Sequence, residues 1–215
     1  WYHQLGDAMR RLFRVKGLSV RKWVGFWVLG LIWGSSFLFI RVGVEQLSPF
    51  QVVFIRTGIA AVGLNLLLLT RGKHLPLNWH MLVPLIIIGI GNTTIPFALI
   101  TWGEKSISSG LAATLQSAAS LFTAVLAHFF FVDERLTPQK IAGLMIGFIG
   151  VIVLGSHSII DGQIDVLLLA SAGAIVVASL FYAIFTIFSR RMIQNRYEPI
   201  VVSTGAMTFA AISSG

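Results

Sequence analysis

What most constrains this chain is the recurring length of its apolar runs. Six segments, 24–43, 50–70, 81–101, 110–131, 141–156 and 166–188, are predominantly apolar, and a seventh begins near Ile200 and continues to the end of the sequence. A helix needs about 20 such residues to cross a hydrocarbon layer of ~30 Å. The sequence therefore predicts an all-α membrane protein, a multi-span bundle of transmembrane helices. Composition agrees, with 56% hydrophobic and only 11% charged residues, where a soluble domain carries about 25% charged. Mean hydropathy is +0.85. The fifth run is short, but it holds no charge and has turn signals on both sides. Connections are brief and polar, as in Arg71-Gly72-Lys73-His74 and Asp133-Glu134-Arg135-Leu136-Thr137-Pro138. A signal peptide does not account for the first run, which exceeds the usual ~7–15 apolar residues and has no small-residue cleavage site after it.

Lys and Arg collect on one side of alternating segments, which orients a membrane protein. Arg10, Arg11, Arg14, Lys16, Arg21, Lys22, Arg71, Lys73, Arg135, Lys140, Arg190, Arg191 and Arg196 fall on one side, thirteen of the sixteen basic residues. Opposite them stands Lys105, while Arg41 and Arg56 lie within spans. The N-terminus is thus expected in the cytoplasm. The net charge of +8 is explained by retention beside anionic headgroups, so lipid is the predicted partner and nucleic acid is not. Trp23, Trp27 and Trp79 sit at inner span ends and Trp102 at an outer one, as interfacial anchors do. There is no cysteine, which excludes disulfides and thiolate chemistry. Met9 opens a more ordinary start than Trp1, and Gly215 falls inside an apolar run. Residues 1–8 are therefore expected to be upstream read-through, and the chain a fragment.

The sequence also echoes itself. Trp33 to Arg41, followed by Pro49, is matched in order of aromatic, small, apolar and basic residues by Tyr182 to Arg190, followed by Pro199. The copies are five spans apart, an odd number, so they insert with opposite orientation, the inverted-repeat arrangement of many secondary transporters. At this point the chain resembles an EamA-type permease of the drug/metabolite transporter superfamily. The resemblance rests on the WGSSF run at 33–37, Pro49 with Arg56, and the stretch from Gly103 to Ala113. It extends to Leu121-Phe122-Thr123-Ala124 through Thr137, and to Gly143–Gly150. It implies ten helices in two inverted five-helix repeats, about six and a half of them here. The expected organisation is a basic cytoplasmic segment at 1–23, a first repeat at 24–156 and the start of a second at 164–215. That resembled family often has a proline just before the Leu-Phe-Thr of the fourth span, where this chain has Ala119-Ser120.

Several residues are candidates for a substrate cavity. Gln116, Ser120 and Thr123 follow helical spacing as a polar stripe, read either as packing glue or as cavity lining. Asn92 and Thr93 stand before Pro96, whose missing donor frees a carbonyl one turn back, and broken helices are where transporters place substrate. Arg56 has no acid in its own span. It either snorkels to the outer interface or offers a positive charge to an anionic substrate. Trp33, Ser36, Trp102 and Tyr182 complete the candidate lining. Arg41 is expected to pair with Glu45 four residues on, Glu134 to form a loop salt bridge, and His128 to be a packed, hydrogen-bonded histidine. Gly143, Gly147 and Gly150 form a small-residue face for helix packing, within the repeat or between protomers of a homodimer.

All eight acids lie at or beyond span ends, so no buried carboxylate of the kind that couples ion-driven transport is visible. No metal-ligand cluster, catalytic motif or cofactor signature is present. The reading is a secondary transporter of small metabolites, an exporter of amino acids or related compounds, in the bacterial inner membrane, with no cofactor and no enzymatic role. A membrane sensor or assembly module is the competing reading, and an intramembrane enzyme a more distant one.

Overall fold

The computed structural model describes residues 20–76, 78–160, 166–193 and 197–215. The basic residues Arg10, Arg11, Arg14, Lys16 and Arg196, and the proposed start at Met9, lie outside them. The described chain is helical: α1 (Val20–Gly43), α2 (Pro49–Thr70), α3 (Trp79–Gly89), α4 (Ile95–Gly103), α5 (Ser109–Gln116), α6 (Ala118–Phe130), α7 (Pro138–Ile160), α8 (Val166–Ile193) and α9 (Pro199–Ser214). Among the described residues five runs are long and apolar enough to cross a membrane: Lys22–Gly43, Pro49–Thr70, Trp79–Gly103, Ser109–Phe130 and Val166–Ile193. Pro138–Val153 and Pro199–Ser214 are shorter apolar helices. This is an all-α, multi-span membrane bundle.

The chain divides into two compact units, Trp1–Ser36 and Phe37–Gly215, the division falling inside α1. In the first unit Trp23, Phe26 and Trp27 meet edge to face, with ring centroids 6.0 and 5.5 Å apart. All remaining geometry belongs to the second unit.

Local chemistry sets the helix ends. Ser48 caps α2 through a reciprocal box, its hydroxyl accepting from the Gln51 amide at 3.3 Å while its own amide donates to the Gln51 side chain at 2.9 Å. Ser108 and Asn78 cap α5 and α3 in the same one-sided way, accepting from Leu111 and Met81. Such caps satisfy amides that a helix start leaves without partners. Past Thr70 the Gly72 amide donates to Leu69 and the Lys73 amide to Leu68, at 2.9 and 3.1 Å. That closure needs a left-handed residue, and Gly72 supplies it with φ +64.

Two spans are interrupted. Between α3 and α4 the residues Ile90–Thr94 form a π turn, the Ile95 amide reaching back to the Ile90 carbonyl. Pro96 follows immediately; its missing donor and its ring explain why the ladder slips by one residue here. The fourth span breaks at Ser117, one residue between α5 and α6. No proline is needed. Ser117 and Ser120 turn their hydroxyls onto the carbonyls of Thr114 and Ser117, at 2.6 and 2.8 Å, and this back-bonding competes with the helix ladder.

α8 runs through the middle of the second unit. Ser171, Ala172, Ile175, Ala178, Ser179 and Ala183 are buried along one face, and their small side chains let neighbours come close, as packing in lipid requires. α4 lies antiparallel to α8, with Gly91 against Phe185, Phe97 beside Tyr182, and Gly103 against Ile175 and the Ser171 carbonyl. α9 lies antiparallel to α2, through Asn65 to Thr208 at 3.0 Å and Thr57 with Ser214 at 3.5 Å. The sequence echo makes α2 and α9 equivalent, so their antiparallel packing is consistent with inverted repeats. Apolar clusters flank the two ends of α8. One joins Ile100, Ile107, Leu111, Leu115 and Ile175, the other Met81, Leu85, Ile88, Ile193 and Ala206.

Candidate functional site: two polar ends separated by an aromatic layer

The α4–α8 pair carries polar groups at both ends. From Asn92 to Glu104 the chain advances about 18 Å at helical rise.

At the Arg190 end there is a cavity of about 820 Å³, bordered by Asn92, Thr186, Ser189, Arg190, Tyr197, Glu198 and Ser203. The Asn92 carbonyl oxygen is buried without a hydrogen-bond partner among the described residues. Arg190 donates to Glu134 at 2.8 Å and to Asp133 at 3.1 Å, and its guanidinium lies 4.2 Å from the centre of the Phe131 ring. These contacts hold the end of α8 to the turn at Val132–Glu134. Lys73 pairs with Glu198. The loop salt bridge expected at Glu134 is present, with Arg190 as its partner.

The cavity side is separated from the other end by rings. Phe185 stacks on Phe181 with centroids 5.9 Å apart, and Phe97 meets Tyr182 at 6.4 Å. Gly91, in the π turn, makes room for this layer, since a Cβ there would run into the Phe185 ring.

Beyond the rings lie Arg56, Arg41 and Glu104. Arg56 does not snorkel outward; its guanidinium sits 4.7 Å from the Phe97 ring centre, within electrostatic reach of Glu104 and the Tyr182 hydroxyl. Arg41 donates to the backbone carbonyl of Glu104. No Arg41–Glu45 pair exists among the described residues. The i, i+4 spacing permits one, but the carbonyl at the end of α4 competes for the same donor.

Glu104 is the largest departure from the sequence reading. It follows directly after the span that ends at Gly103, yet it is 0% exposed, and neither carboxylate oxygen has a hydrogen-bond partner among the described residues. Burial raises its pKa from 4.5 to about 7, with Arg56 and then Arg41 pulling it back down. A carboxyl at a span end is therefore not always at the water interface: the turn decides which way it points.

The other predicted residues are distributed as follows. Thr93 is buried in the π turn. Gln116 is buried, and the Ser179 hydroxyl lies 3.4 Å from its carbonyl. Ser120 is exposed, so the break at Ser117 divides the expected stripe. Trp102 is 40% exposed on the outside of its helix. Trp33 and Ser36 belong to the first unit. On α7, Gly147 meets the Leu121 side chain, while Gly143 and Gly150 have nothing within 4 Å. The His128 Nδ1 accepts from the Leu136 amide at 3.1 Å, the packed role expected of it. The structure thus brings Arg56, Tyr182 and Asn92 to one axis and adds Glu104, Phe97, Phe185 and Arg190. Glu104 had one detectable signal, since it occupies the place in its turn that Val44 holds in the turn at 43–48.

The sequence profile described as the EamA-like transporter family matches residues 22–156. The chain is similar to an uncharacterized transporter of Archaeoglobus fulgidus, 28% identical over 193 residues, covering 90% of this chain and 66% of that protein. It is similar to the uncharacterized inner membrane transporter YedA of Escherichia coli K12, 32% identical over 141 residues, covering 63% and 44%. It is also similar to a probable amino-acid metabolite efflux pump of Salmonella typhimurium, 28% identical over 175 residues, covering 80% and 54%. No solved structure matches the chain. The chain spans about half to two thirds of the length of these relatives.

Proposed function

The chain belongs to the EamA-like transporter family, a family of transporters and not of enzymes, and on that premise we propose that it works in an exporter of amino acids or related metabolites. Transport proceeds by alternating access between a first repeat at 24–156 and a second that begins at 164–215. The observation that carries this reading is the 820 Å³ cavity at the Arg190 end, with the Phe97–Tyr182 ring contact farther along α4 and α8 toward Glu104. Its volume lies in the range of small-molecule sites, about 300–1,000 Å³. Asn92 offers it an unsatisfied amide oxygen, and Arg56 stands behind the rings as a positive charge for a carboxylate.

Orientation follows from the loops. Arg71, Lys73, Arg135, Lys140, Arg190 and Arg191 lie toward the cavity end and Lys105 toward the other, so the positive-inside rule turns the cavity to the cytoplasm. Loading from that side suits export, and the similarity to an efflux pump supports the same direction. The similarity to YedA supports the inner membrane as its location. The open face of α7 at Gly143 and Gly150 is where a second protomer would pack.

The test is the complete transporter in vesicles, loaded with a panel of labelled amino acids. Saturable efflux of at least one, reduced by Arg56→Ala, is the expected result. Absence of saturable flux across the panel would remove amino acids as the substrate class.

A further inference from the structure

We propose that Glu104 is a proton-binding site whose occupancy is linked, through Arg56, to the binding of an anionic substrate group. The link to substrate rests on the transport reading above; the proton site itself does not.

The geometry leaves Glu104 few ways to be satisfied. Its side chain has no exposed surface and neither oxygen accepts a hydrogen bond among the described residues. It does not border the 820 Å³ cavity. A buried carboxylate in this condition either meets compensating charge or takes up a proton. The groups around it can be named element by element. From α1 comes Arg41, already donating to the backbone carbonyl of Glu104 itself. From α2 comes Arg56, and from α8 comes Tyr182, which faces Arg56. The charged residues described on α8, Arg190 and Arg191, are at the far end, and Lys105 is exposed in the turn. Compensation for a Glu104 anion therefore depends mainly on Arg56.

That dependence makes the linkage. An anionic group drawn to Arg56 competes for the guanidinium charge that acts on Glu104. Glu104 then takes a proton from the aqueous side, forming one O–H bond on a carboxylate oxygen, and nothing is oxidised or reduced. When the anion departs, the proton returns to water. Coupling of this kind is reciprocal, so the anion binds more tightly as pH falls.

The experiment uses the full chain in lipid nanodiscs with carboxyl-¹³C glutamate, the Glu104 signal being assigned by its loss in Glu104→Gln. The expected midpoint is about 7, moving up by about one unit in Arg56→Gln, the size of shift a nearby opposite charge produces. Lys105→Gln should leave it in place. A midpoint in the ordinary glutamate range near ~4.3, or one indifferent to Arg56→Gln, would overturn the proposal. Helix content by circular dichroism guards against misfolding, and Glu104→Asp, which keeps a titrating carboxyl, should retain a raised midpoint. In vesicles of the complete transporter, Glu104→Gln should flatten the pH dependence of flux. If no amino acid is carried at all, the substrate reading fails while the titration still decides the proton site.

Discussion

Two turns of this protein have the same backbone and opposite contents. After α1, Val44 and Leu47 donate their amides to Ile40 and Gly43, at 2.9 and 3.0 Å; after α4, Glu104 and Ile107 do the same to Ile100 and Gly103, at 2.9 and 3.2 Å. Each turn ends on a serine, Ser48 or Ser108, that caps the next helix. Their first residue points inward in both cases. In one it is Val44, packed against the apolar cluster; in the other it is Glu104, buried without a hydrogen bond. The first turn shows what the position favours on packing grounds. A carboxyl in the second is a cost the fold carries, and such departures from local rules concentrate at functional sites.

The strongest way to break the comparison is to make the turns alike. Val44→Glu places a carboxyl at a partly buried position packed against the apolar cluster, and stability should fall by up to about 3 kcal/mol, the cost of burying a polar group without a partner. Unfolding in sodium dodecyl sulfate mixtures measures this, and a loss under about 1 kcal/mol would mean the turn does not fix the inward direction.

The second prediction separates the turns by pH. Between 4.5 and about 7 the folded chain keeps a proton on Glu104 that the unfolded chain has released. Stability therefore falls as pH rises through that window, by on the order of 3 kcal/mol, and levels off above it. Glu104→Gln should remove this slope. If the slope persists unchanged, another group carries it.

Smaller effects follow at the polar axis. Arg56→Ala in the complete transporter should lower flux about tenfold or more, because a charged partner is worth about 1.5–3 kcal/mol. Asn92→Ala, which removes a neutral amide, should lower it a few-fold. Both variants should still insert in the membrane, as fractionation would show. Smallest and most even are the caps: Ser48→Ala and Ser108→Ala should each cost about 1 kcal/mol. A marked inequality between them would show that the shared backbone hides different dependence on the cap.

Much of this could be read from residue order. Ser48-Pro49 and Ser108-Ser109 mark helix starts, Pro96 marks the slip that becomes the π turn at Ile90–Thr94, and Arg56 and Asn92 were identifiable as polar residues inside spans. Other features could not be read this way. The fourth span was a continuous apolar run in sequence, yet the helix is interrupted at Ser117, where two serine hydroxyls bond back to carbonyls, and Ser120 is exposed. The glycines that matter for close approach at the site are Gly91 and Gly103, not the evenly spaced row on α7, where only Gly147 meets a neighbour within 4 Å. Spacing shows which residues share a face; it does not show which face has a partner.

The sequence by itself determined that the chain is a helical membrane protein, because span length and polarity answer to the thickness of the bilayer and not to any neighbour. It also carries the gathering of Lys and Arg in alternating loops and the echo between α1–α2 and α8–α9. Tertiary structure alone decided that Arg41 serves the end of α4 and not Glu45, that Arg56 lies over Phe97, and that Glu104 is inside. Those outcomes depend on the direction of a turn and on which helices close around it, and a carboxyl one residue beyond a span is compatible with water or core until they do.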